Sequence, residues 1–99
     1  MNLIKYDEKL ANKDKLRIYF FKSNDCGVCV SILEKMKEYF KDYDLNVYII
    51  DIEKNPKLRG EFLVFTGPTI LLLKEDKVLI KESGFVEFEN LKKALDFII

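Results

Sequence analysis

Histidine and tryptophan are absent from the chain, and it holds only two cysteines, Cys26 and Cys29. A structural zinc site takes about four cysteine or histidine ligands. Two thiols and no imidazole leave such a site half built, so a metal would need ligands from a second chain. An excess of one charge sign is also lacking: 17 Lys and Arg offset 17 Asp and Glu. No basic patch offers itself to nucleic acid, and there is no acidic tail. No apolar run approaches the ~20 residues of a membrane span. The stretch from Met1 to Asp7 has neither a continuous apolar core nor a small-residue cleavage site, so no signal peptide is expected. The expected location is the cytoplasm, where a cysteine pair is more often catalytic than structural. A secreted form already cleaved would read the same. No G-x-G-x-x-G is present to hold a flavin or nicotinamide. No cofactor is expected beyond the cysteine pair itself. Repeats, linkers and low-complexity segments are missing too, and 99 residues make one domain, residues 1–99, with a modest core. Every apolar run has a place in that core, so a monomer is expected.

What is present centres on Cys26-Gly27-Val28-Cys29. An apolar run, Leu16–Phe21, precedes it, and Lys22-Ser23-Asn24-Asp25 connects the two. A helical pattern follows to about Tyr43. Strand, loop and then two cysteines in the first turn of a helix is the setting of a redox C-x-x-C. Unpaired N–H groups and the positive end of the helix dipole favour an anion there. The thiolate is the attacking species, and helix N-termini lower cysteine pKa from about 8.5 to roughly 3.5–7.5. Cys26, at the exposed start, is the expected nucleophile, and Cys29, a turn further in, the resolving thiol. Cys26 would form a mixed disulfide with a substrate, and Cys29 would displace it. A purely structural disulfide is the weaker alternative, because so short a loop constrains the unfolded chain little.

Leu3–Tyr6 reads as a short edge strand, and Asp7–Lys15 as a short surface helix or turn. Leu16–Phe21 is apolar on both faces, which suits a central strand. Along the next helix Val30, Leu33, Met36 and Phe40 form the apolar stripe, widened by Ile32, Tyr39 and Tyr43. Asn24 or Asp25 is the expected cap. Leu45–Ile52 is a second buried strand. Asn55-Pro56 opens a helix, with Leu58, Phe62 and Leu63 facing inward. Ile70–Leu73, a turn at Lys74–Lys77 and Val78–Lys81 make a hairpin. Gly84 marks a sharp turn, and Phe88, Leu91, Leu95 and Ile98 mark an amphipathic closing helix. The fold class is α/β: a central mixed sheet of about four to five strands with helices on both faces.

Pro68 is the second candidate site element. Proline cannot donate to a sheet ladder, and only X-Pro bonds adopt cis cheaply. A cis Gly67–Pro68 bond beside the cysteines is predicted, leaving residue 67 free to pair with an extended substrate chain. An ordinary trans turn proline is the alternative that the local residues leave open.

These elements together resemble the thioredoxin family over essentially the whole chain. C-G-x-C follows a buried strand, Asn55-Pro56 follows the next, Gly67-Pro68-Thr69 opens the hairpin and Gly84 precedes the last helix. The resemblance implies a thioredoxin fold, protein-disulfide oxidoreductase activity and a cis proline at Pro68. It also implies partner docking around Gly27, Val28, Gly67, Pro68 and Gly84. The implied partners are proteins containing disulfides and a separate electron donor of the thioredoxin-reductase type.

Several positions depart from the family pattern. Asp25 stands where a tryptophan usually precedes the first cysteine, and Val28 replaces the proline of C-G-P-C. The family's buried acid falls at Phe20, and its lysine partner at Ile49. Those groups normally shuttle the proton of the resolving cysteine, so slower resolution is expected here. Asp25 opposes ionisation of Cys26. A reducing poise toward roughly −270 mV is therefore expected, rather than the oxidising value near −120 mV. Two other readings stand beside this one. A glutaredoxin-like, glutathione-dependent reductase is disfavoured by Gly67 in place of valine and by Ser83-Gly84 in place of the paired-glycine acid motif. A redox-switched binding module on the same scaffold fits the missing acid, lysine and tryptophan.

Overall fold

The computed structural model describes residues 1–98. Its elements are β1 (Asn2–Lys5), α1 (Glu8–Ala11), β2 (Leu16–Lys22), α2 (Gly27–Phe40), β3 (Asn46–Asp51), α3 (Pro56–Phe62), β4 (Thr69–Lys74), β5 (Lys77–Ser83) and α4 (Phe88–Ile98). The strands form one mixed sheet in the order β1-β3-β2-β4-β5. β1, β3 and β2 run parallel, while β4 is antiparallel to both β2 and β5.

β2 is central because both of its faces have apolar work to do. Strand alternation sends Ile18 and Phe20 one way and Tyr19 and Phe21 the other. On the first face they meet Met36 and Phe40 of α2 and Phe88, Leu91 and Leu95 of α4. On the second they meet Ile50 of β3, Leu71 and Leu73 of β4, and Leu58 and Phe62 of α3. A strand covered on both faces reads as a continuous apolar run rather than an alternating one. The exception is Arg17, which is only 6% exposed. Its guanidinium donates to the carbonyls of Asp14 at 3.0 Å and Glu75 at 2.8 Å, and to the Tyr19 hydroxyl at 3.2 Å. Those acceptors make burial of the cation tolerable.

Four local expectations are corrected. The cap of α2 is Cys26 itself, not Asn24 or Asp25, and the helix ends at Phe40 rather than Tyr43. Val30 points outward at 64% exposure, because the buried seam of α2 starts from Cys29 and continues through Met36 and Phe40. Leu63 is not an inward helical residue. It takes the left-handed C-cap position of α3, φ 53°, and its side chain is exposed.

Candidate active site

The end of β2 delivers the connector 23–25 to the start of α2. The Asn24 side-chain amide donates to the Glu53 carboxylate, which ties this connector to the chain leaving β3. Asp25 then adopts left-handed backbone, φ 54°, and turns the chain into the helix. Cys26 follows in extended backbone, φ −95° and ψ 92°, as the N-cap. The amide of Cys29 donates to Cys26 Sγ at 3.1 Å. A sulfur therefore takes the place usually filled by a capping oxygen. An N–H aimed at that sulfur favours its anion over its neutral form.

The two cysteines are joined in a disulfide, with Cα atoms 5.2 Å apart. They differ in access. Cys26 is partly exposed, while Cys29 is 3% exposed and belongs to the core cluster that holds Phe20 and Ile70. A cavity of about 450 Å³ opens beside them, with Phe20, Ile49, Lys22 and Asp25 on its wall. Phe20 and Ile49 thus lie against the dithiol, and neither can exchange a proton.

The proline loop abuts the same connector. The Gly67–Pro68 bond is cis. A Cβ on Gly67 would fall 2.7 Å from the backbone nitrogen of Ser23, so no larger residue fits without movement. The Pro68 carbonyl accepts from the amide of Gly84 at 2.9 Å, and Gly84 has φ 76°. Register pairs Thr69, next to Pro68, with Phe21 near the end of β2. Gly67, Pro68 and Gly84 are therefore gathered at one loop cluster tied to Ser23, while Gly27 and Val28 occupy the first turn of α2. Val28 is exposed. Two rings went unnoticed in the sequence: Phe65 and Phe85 flank this loop cluster and are 66% and 77% exposed. Their signal was an apolar residue next to turn residues, where a buried strand would not run.

The thioredoxin family model matches residues 1–97. The chain belongs to the thioredoxin family. It is 31% identical over 93 residues to the thioredoxin of Staphylococcus haemolyticus strain JCSC1435, covering 92% of this chain and 88% of that one. Thioredoxin 1 of Thermosipho africanus TCF52B is 26% identical, with a TM-score of 0.72 over 83% of this chain and 92% of its own. The reduced thioredoxin pre-protein of Schistosoma mansoni reaches a TM-score of 0.80 with all of both chains covered, at 22% identity, a likeness of fold. The protein is a thiol–disulfide oxidoreductase of thioredoxin fold with disulfide reductase activity. Among the described residues, no group of three or more His, Cys, Asp or Glu is placed to hold a metal ion. No described helix is long and apolar enough to cross a membrane.

Proposed function

We propose that Cys26 is the attacking sulfur and Cys29 the resolving one in the reduction of protein disulfides. The observation that carries this is the 3.1 Å contact from the Cys29 amide to Cys26 Sγ, made by a partly exposed sulfur at a helix start. Cys26 thiolate forms a bond to one substrate sulfur while the substrate S–S bond breaks and the second sulfur leaves with the electron pair. Cys29 then bonds to Cys26 and expels the first substrate sulfur. Two electrons pass from the dithiol to the substrate. A thioredoxin-reductase-type donor returns them.

The docking surface in this reading comprises Gly27, Val28, Gly67, Pro68 and Gly84, with Phe65 and Phe85 added. An extended substrate segment lies along residue 67 and offers its disulfide to Cys26. The working form is a single domain, monomeric and cytoplasmic, with no call on nucleic acid, membrane or further cofactor. Gly67 before the proline favours protein disulfides over glutathione. The dithiol itself favours turnover over a purely switching module.

Insulin reduction is the test, with Cys26→Ser as control and NADPH plus thioredoxin reductase set against glutathione as donor. Turnover with the reductase, lost in Cys26→Ser, is the expected result. Preference for glutathione would support the glutaredoxin-like reading, and inactivity of the unaltered protein the binding module.

A further inference from the structure

Resolution requires Cys29 to lose a proton, yet its thiol is almost fully buried against Phe20. The positions beside it on β2 and β3, Phe20 and Ile49, carry nothing that titrates. Besides the cysteines, two ionisable side chains line the adjoining cavity, Lys22 and Asp25. Lys22 ends β2 and Asp25 lies in the segment between strand and helix; among the described residues, Asp25 is the only carboxylate on the wall. The cavity, about 450 Å³, has room for water.

We infer that Asp25 receives the proton of Cys29, relayed by water in this cavity, and that Lys22 stabilises the Cys29 thiolate. The inference rests on the proposed roles of Cys26 and Cys29. In the mixed disulfide the Cys29 S–H bond breaks, and its proton passes to a carboxylate oxygen of Asp25. The sulfur's electron pair forms the Cys26–Cys29 bond. The bond from Cys26 to the substrate breaks, and its pair leaves on the substrate sulfur, which is then protonated by Asp25 or solvent. No further reductant is consumed. Asp25 thereby has two opposed effects. Its charge disfavours the Cys26 thiolate, slowing attack, while its basicity speeds resolution.

The two effects separate in a single turnover of the reduced protein with a symmetrical chromogenic aryl disulfide. One coloured thiolate is released at attack and a second at resolution. Asp25→Asn is the variant of choice, because asparagine also accepts left-handed backbone and keeps the turn. The expected result is a second phase slowed about tenfold or more, with the first phase unslowed. Asp25→Glu restores the second phase, and Lys22→Met slows it. An unchanged second phase in Asp25→Asn overturns the inference, as does equal slowing of both phases. Absence of the first phase in the unaltered protein would instead overturn the role given to Cys26.

Discussion

Phe20 and Ile49 are register partners across β2 and β3, and both line the cavity beside Cys29. The resemblance to the thioredoxin family implies an acid and a lysine at these positions. Two apolar side chains leave the resolving thiol with no base on either neighbouring strand position. Phe20→Asp supplies a carboxylate directly against it. Resolution is expected to quicken by about a hundredfold, the low end of what general-base assistance contributes. The variant loses a buried ring, which costs about 3–5 kcal/mol. A lowered urea midpoint reports that cost, and the rate is measured well below it. No change in the resolving phase would mean that proton removal does not limit it.

The asymmetry in access between the two sulfurs gives unlike phenotypes to their serine variants. Cys26→Ser is expected to lose disulfide reduction, because the buried Cys29 cannot meet a protein substrate. Cys29→Ser is expected to attack and then stall, accumulating a mixed disulfide visible by mass spectrometry. If Cys29→Ser failed to form the adduct while Cys26→Ser formed it, the two roles would be exchanged.

The poise of the couple follows from what surrounds Cys26 Sγ. It receives one amide hydrogen bond, from Cys29, and the dipeptide between the cysteines, Gly27-Val28, carries no charge. Asp25 adds an opposing charge. The reduced form is therefore not specially stabilised, and the potential is expected toward roughly −270 mV. Equilibration with glutathione buffers measures it. A value above about −180 mV would require a thiolate stabiliser beyond this amide.

The elements that build the sheet were legible because β2, β3 and β4 are apolar along their length, as strands buried on both faces must be. The candidate site was legible in its cysteine pair, Cys26 and Cys29, and in the cis bond at Pro68, where chemistry and local geometry coincide. It was obscured where one residue does two jobs. Cys29 is both a reactive group and the first rung of the buried seam of α2, so a stripe drawn from Val30 began one residue late. Cys26 caps its own helix through sulfur, which no side-chain preference for oxygen caps anticipates. Arg17 is held by carbonyls of Asp14 and Glu75, the latter 58 positions away, and such acceptors leave no mark in sequence. Phe65 and Phe85 resemble core residues until the turns at Pro68 and Gly84 place them outside.

Gly67 is a steric requirement rather than a conformational one. Its backbone is not left-handed, but an added Cβ meets Ser23 N at 2.7 Å, a main-chain atom that cannot swing aside. Gly67→Ala is expected to push the proline loop away from the connector that leads to Cys26. The cost is about 1–3 kcal/mol, the range for overpacking. Because the same loop is the proposed path of the substrate, kcat/KM with insulin should fall further than with a small aryl disulfide. Equal losses with both substrates would leave Gly67 a purely structural residue.

Alkaline pH tests the opposite face of the sheet. Burial, and then the hydrogen bond to Asp14, push the Tyr48 phenol up to about 12, and burial does the same to Tyr6. The ordinary phenol value is 10.0. A folded pKa above the unfolded one means that the unfolded chain gives up its proton first. The stabilisation is whole below pH 10, and it is lost as pH climbs toward 12. Thermal midpoints should therefore fall across that interval after allowance for lysine titration. Tyr48→Phe removes the Tyr48 share along with its bond to Asp14, at a cost of about 1 kcal/mol near neutral pH. Its deficit relative to the unaltered protein should shrink from pH 10 upward. Two curves that stay parallel to pH 12 would mean that Tyr48 ionises alike in both states.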